Sequence, residues 1–159
     1  MAKRKYSRID DEHHVVRRCG YQVIERDALT NKVVGLFPKA MMLRLEIKEK
    51  YLSVNMLEHC DGTKVEQLKA VVAIQRAKAK KGRLSLQSGV AILKTGRIME
   101  IGTRNGHRLV VRFTPKSDDP SYSRVSGLPL NNSDEILIAN LTVEAYQDFM
   151  LLADIDALP

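Results

Sequence analysis

Hydrophobic and polar residues recur along this chain with periods that predict most of its elements. From Thr63 to Lys81 the apolar residues Val65, Leu68, Val72 and Ala79 return to one side of a 3.6-residue turn, with Val71 beside them, so the spacing predicts a helix. Thr63, with Glu66 three residues later, has capping-box spacing, and Gly82 is the predicted stop. Met41, Leu43, Leu45 and Ile47 alternate with Met42, Arg44, Glu46 and Lys48, which is the period of a half-buried strand. Tyr51 to Met56 reads as another strand or as the lead into a turn at Cys60-Asp61-Gly62, and the apolar run Val90 to Leu93 opens a section that reads as antiparallel sheet. Tyr21 to Glu25 and Lys32 to Phe37 read as a further pair around the turn residues Asp27 to Asn31.

Asn105-Gly106 is the sequence of a tight hairpin turn and predicts flanking strands at Arg97 to Thr103 and His107 to Phe113. In the second of these, Leu109, Val111 and Phe113 share the core face, while Arg108 and Arg112 flank Val110 on the other. A short helix from Asp10 to Arg18 follows from an Asp cap and the stop at Gly20. Composition makes Ser117 to Asn132 a long loop. Asn132 or Ser133 caps a helix that begins at Asp134, and a second helical stretch runs from Thr142 to Leu152. The order predicts an α+β fold. A basic flexible arm, residues 1–8, precedes a single domain, residues 9–159. Its sheet is mostly antiparallel, with one basic helix packed on it and an acidic C-terminal helical region over residues 133–156.

The length of 159 residues suits one domain, and 44% hydrophobic residues without a single Trp imply a core of Leu, Ile, Val, Met and Ala. No run approaches the roughly 20 apolar residues of a membrane span. The basic start lacks the apolar segment of a secretory signal. Two cysteines are too few for a disulfide framework, so the expectation is a cytoplasmic protein with reduced thiols. Cys19, next to Arg17 and Arg18, is the one whose thiol those cations are expected to acidify.

Charge sharpens this picture. Residues 1–116 hold 25 of the 26 Lys and Arg against 11 acids, about +14, whereas residues 117–159 hold one Arg against eight acids, about −7. A basic body of that density points to a polyanionic partner, and the acidic end can dock on the body, shield it, or recruit another protein. The expected phosphate contacts are Lys69, Arg76, Lys80, Lys81 and Arg83 in and after the basic helix, Arg108 and Arg112 in the sheet, and Lys3, Arg4 and Lys5 in the arm. Zinc-finger spacing, an RNP aromatic pair and a Gly-x-x-Gly loop are all missing.

No His or Cys spacing matches a metal site, no Gly-x-Ser-x-Gly is present, and the glycines open no phosphate loop. No metal or cofactor is expected. The reading that follows is a non-catalytic nucleic-acid-binding accessory protein. One alternative is a small metal-independent RNase or nucleotide transferase of the toxin type, with His107 as the proton-transferring group and Arg104 and Arg108 steadying the phosphate. The other is a protein–protein adaptor or homo-oligomer that mates basic and acidic surfaces.

Two segments carry a resemblance. Arg17-Arg18 leading through an extended segment to Tyr51-Leu52-Ser53-Val54-Asn55-Met56-Leu57-Glu58, and later Asp119-Pro120-Ser121-Tyr122 followed by Gly127-Leu128-Pro129, resemble a family of small bacterial proteins with no assigned activity. In that family the position of Met56 is usually Trp and that of Tyr122 usually His. The resemblance implies a bacterial origin and a place in a defence-type assembly, and it implies no mechanism.

Overall fold

The computed structural model describes residues 6–79 and 85–159. A six-stranded antiparallel sheet forms the centre, in the order β6-β7-β4-β1-β5-β8. Its strands are β1 (His14–Cys19), β4 (Leu52–Met56), β5 (Gly89–Lys94), β6 (Val110–Phe113), β7 (Tyr122–Ser126) and β8 (Phe149–Leu151). A separate hairpin pairs β2 (Ile24–Arg26) with β3 (Val33–Leu36). Among the described residues the α-helices are α1 (Lys64–Lys78), α2 (Thr95–Arg104), α3 (Glu135–Gln147) and α4 (Leu152–Asp156). This is the expected α+β domain, with helices packed on an antiparallel sheet.

The sheet's two faces build two cores. Val15, Leu52, Val54, Ala91, Leu93, Val111 and Val125 point to one face, where Ile98 and Ile101 of α2 and Leu137, Leu141 and Ala145 of α3 meet them. Val16, Val90 and Ile92 point to the other, under Leu68, Val71 and Val72 of α1 and Leu152 and Ile155 of α4. Among the described residues that second apolar layer covers the β1-β5-β8 side. On the β4-β7-β6 side the same face is polar. Ser53 and Asn55 of β4 stand opposite Arg124 and Tyr122 of β7, and Arg112 of β6 stands opposite Arg124.

Helix α1 starts as its sequence predicts: the Thr63 hydroxyl accepts from the Glu66 N–H at 3.2 Å and donates to the Glu66 carboxylate at 3.1 Å. Several expectations are corrected. Asp10 to Arg18 is not a helix; its second half is β1. An Asp cap and the Gly20 stop are helix signals, but Val15 and Val16 are both buried because each face of this strand is covered. Met41 to Ile47 is not a strand. It folds as two 3-10 turns, Pro38–Met41 and Leu45–Ile47, and leaves Leu45 and Ile47 exposed. The Asn132 side chain takes both backbone groups of Leu43, each at 2.9 Å, and so does the work of a neighbouring strand.

Arg97 to Thr103 is helix α2, and Asn105-Gly106 ends that helix instead of turning a hairpin. The Gly106 and His107 N–H groups return to the Thr103 and Gly102 carbonyls, and Gly106 takes φ +76°. Tyr21–Val23 is a 3-10 turn that leads into β2. The Ser117 to Asn132 loop contains β7, which pairs on both sides. The second helical stretch is replaced by the end of α3, then β8 and α4, and Asp134 caps α3 through the Leu137 N–H at 3.0 Å. The last residues of the predicted arm lie along β6: Phe113 N–H donates to the Ser7 carbonyl at 2.8 Å and Ile9 N–H to the Val111 carbonyl at 2.9 Å.

Candidate functional site

The polar half of the second sheet face opens into a cavity of about 770 Å³. Its floor is β4 and β7; its walls are the turn around Lys48, the C-terminal end of α1, and the loop before β7. The volume lies within the usual range for a small-molecule site, roughly 300–1,000 Å³.

Alternation in the two strands builds the floor. Ser53 Oγ and Tyr122 Oη lie 2.8 Å apart. Asn55 Nδ2 donates to Asp119 Oδ1 at 2.7 Å and to Ser121 Oγ at 2.8 Å, and Gln75 Nε2 of α1 donates to Asn55 Oδ1 at 3.3 Å. Lys78 Nζ reaches the other Asp119 oxygen at 2.8 Å. Asn55, Asp119 and Ser121 are all buried, so this network is interior structure opening onto the cavity.

Cations dominate the rim. Arg44 is held by Glu49 and Lys78 by Asp119. Arg18, Lys48, Lys50 and Lys116 line the same space, and among the described residues none of them has a carboxylate partner. Lys48 adopts a left-handed conformation, φ +52°, at the turn that forms this wall. Arg124 stacks on Tyr51 with 4.1 Å between guanidinium carbon and ring centre, and the Lys116 ammonium sits 4.1 Å from the Tyr122 ring centre.

The two phenols are pulled apart in acidity. Burial works to raise Tyr122, but the Ser53 hydroxyl, the Lys116 charge, Tyr51 and Arg124 together outweigh it and hold the group below its ordinary value. Burial and the neighbouring Tyr122 push Tyr51 up.

The residues singled out from sequence are dispersed by the fold. Lys69 Nζ donates to the Leu158 carbonyl at 2.5 Å, and Arg76 forms a two-pronged pair with Asp156 at 2.9 and 2.6 Å. Lys64 pairs with Asp148 at 3.3 Å. The acidic end of the chain therefore packs on α1, and three of the helix's cations are engaged by it. Arg108 and Arg112 are exposed and carry no carboxylate partner among the described residues. Lys3, Arg4, Lys5, Lys80, Lys81 and Arg83 lie outside the described residues.

His107 is not at a hairpin tip. It follows α2, and its Nε2 lies 2.7 Å from Asp134, the cap of α3, while Arg104 pairs with Glu100. Of the alternative catalytic set, His107 is thus committed to a helix end and Arg104 to a surface pair, while Arg108 is exposed without a carboxylate partner among the described residues. Cys19 is buried, and burial outweighs Arg17 to push its thiol up to about 11, the reverse of the expected acidification. Both cysteines are free thiols.

Sequence reading missed Ser53, Asn55, Tyr122 and Arg124 as a set. The available signal was period-two alternation in Tyr122-Ser123-Arg124-Val125-Ser126, inside a stretch whose Asp, Pro, Gly and Asn residues marked it as loop. Comparison with protein families, with curated proteins and with solved structures finds no match to this chain.

Proposed function

We propose that this protein binds nucleic acid, without transforming it, through the cationic cavity on the polar half of its sheet. One observation carries the reading. Arg18, Lys48, Lys50 and Lys116 converge on a single cavity with no carboxylate partner among the described residues, whereas Lys64, Lys69 and Arg76 of α1 are engaged by the C-terminal segment. Cations left unpaired around a concave surface provide the sequence-independent part of nucleic-acid affinity. Arg124 and Arg112 extend the positive surface along β7 and β6.

Fluorescence anisotropy with labelled single-stranded RNA and DNA tests this. The double variant Lys48→Glu, Lys50→Glu is expected to weaken binding about tenfold or more, and Lys69→Glu to change it little. The logarithm of the binding constant is expected to fall with the logarithm of salt with a slope of about −3, the value for four or five neutralised phosphates. A flat salt response, or greater sensitivity at Lys69 than at Lys48 and Lys50, would refute the proposal.

A second reading, cleavage of the bound strand, is favoured by the Ser53–Tyr122 contact beside Lys116, which sets an acidified phenol at the cavity floor. Incubation with bulk RNA in EDTA separates the two. Cleavage lost in Tyr122→Phe with binding retained supports the enzyme, and intact RNA supports the binding protein.

A further inference from the structure

Strands β1 and β4 pair only at Val15↔Met56 and Val16↔Asn55. Arg17 follows directly, and its side chain substitutes for the next ladder contact. Nη1 donates to the Ser53 carbonyl of β4 at 2.9 Å, and Nε donates to the Ala40 carbonyl at 3.1 Å. Two carbonyls fix the plane of the guanidinium without neutralising it. Among the described residues no carboxylate pairs with Arg17. Glu49, the acid in its neighbourhood, is already taken by Arg44, and Arg44 and Arg18 add charge of the same sign.

A half-buried guanidinium with only neutral acceptors is an unbalanced charge, and side chains of this type are rarely buried unless paired. Burial lowers its pKa from the ordinary value, yet an arginine keeps its proton, so the imbalance persists. Arg17 also lines the cavity, and its Nη2 has no acceptor among the described residues. A guanidinium fixed in this way, with Nη2 still free to donate, suits a phosphate oxygen.

We infer that Arg17 is the receptor for a terminal phosphate group, the phosphorylated end of the nucleic acid that enters this cavity; the inference rests on the nucleic-acid reading above. Position selects an end over the middle of a strand. The guanidinium is half-buried, held by a β4 carbonyl, and shares the cavity lining with Arg44, Lys48, Lys50, Gln75 and Lys78. A phosphodiester brings a sugar on each of two oxygens and must pass through with both. A terminal phosphate has one tether and three open oxygens. It also carries about −1.5 to −2 charges near neutral pH, against one for a diester, and so suits a site with several unpaired cations.

The test compares one oligonucleotide of about 12 nucleotides in three forms: 5′-phosphorylated, 3′-phosphorylated, and with hydroxyls at both ends. One phosphorylated form is expected to bind about tenfold or more tighter than the hydroxyl-ended form, the scale of a charge-assisted hydrogen-bonded pair. Arg17→Gln is expected to remove that preference, so that the phosphorylated and hydroxyl-ended forms bind alike. Should Arg17→Gln fail to fold, the wild-type comparison still decides. Equal affinity for all three forms overturns the end-phosphate receptor and leaves nucleic-acid binding standing. A preference that survives in folded Arg17→Gln overturns the assignment to Arg17. No binding of any form at low salt overturns the nucleic-acid reading beneath it. A mononucleotide that competes as strongly as the phosphorylated strand upholds the phosphate receptor and overturns the nucleic-acid reading.

Discussion

Asp119 fixes the polar network at the cavity floor. An ionised carboxylate only accepts, so its 2.7 Å contact obliges Asn55 to present Nδ2. Asn55 then turns its oxygen to Gln75, which must offer Nε2 and is left with Oε1 buried and unpaired among the described residues. One carboxylate thereby orients two amides and anchors Lys78. Asp119→Ala strands the Asn55 amide and the Lys78 ammonium together, and is expected to lower stability by about 3 kcal/mol in urea unfolding, the cost of breaking a buried pair from one side. A loss within the range of exposed pairs, below about 1 kcal/mol, would deny the network its structural role. Asp156 and Asp134, like Asp27, lie outside the site and contribute to the acid limb of stability. Asp156 is held below the ordinary carboxylate value of 3.8 by its bond to Arg76, and Asp134 by the Leu137 N–H and His107. Each favours the fold fully above that ordinary value, and its contribution disappears as pH falls through the lower, folded-state value. Replacing Asp156 with Asn is therefore expected to flatten the loss of stability seen on acidification below about pH 4, measured by urea unfolding at successive pH values.

At the scale of elements, what was legible followed the clarity of the local signal. Thr63 with Glu66 marks the start of α1 because one side chain satisfies a helix-end N–H whatever lies around it. Val90 to Leu93 and Tyr51 to Met56 carry apolar strand signals, and the fold makes them β5 and β4. Asn105-Gly106 misled because one chemistry serves two structures: left-handed backbone at a glycine closes a hairpin or ends a helix, and only the packing of Ile98, Ile101 and Gly102 decides between them. Gly106→Ala tests this assignment. A Cβ there meets nothing within 4 Å, so the substitution isolates the backbone cost at φ +76°. It is expected to lower the thermal midpoint in proportion to about 1 kcal/mol. Met41 to Ile47 misled for a different reason: its alternation is real, but the Asn132 side chain satisfies Leu43 from 89 positions away, which no local pattern reports. The candidate site was half visible. Ser53 and Asn55 alternate within a strand that was recognised, while Tyr122 and Arg124 sat in a stretch whose turn residues concealed the strand opposite.

For the whole molecule, the division of charge means something other than a free acidic tail. The segment after α3 adds β8 to the sheet edge beside β5 and then inserts Leu152 and Ile155 into the core under α1. Leu152 and Ile155 are fully buried against Val16, Leu68, Val90 and their neighbours, so the acids ride on an apolar anchor and reach Lys64 and Arg76 from it. Surface ion pairs of this exposure each contribute at most about 1 kcal/mol, whereas burying two large aliphatic side chains contributes several times that. The apolar contacts hold the C-terminus, and the ion pairs choose which face of α1 it lies on. A chain ending at Gln147 would expose the α1 side of β1 and β5 and leave β5 as an open edge. It is expected to aggregate or to lose a cooperative melting transition. Asp148→Asn combined with Asp156→Asn removes only charge and is expected to stay folded with a thermal midpoint lowered by a few degrees. A truncated chain that melted like the full one would show that α1 needs no cover, and that the acidic end is an independent appendage.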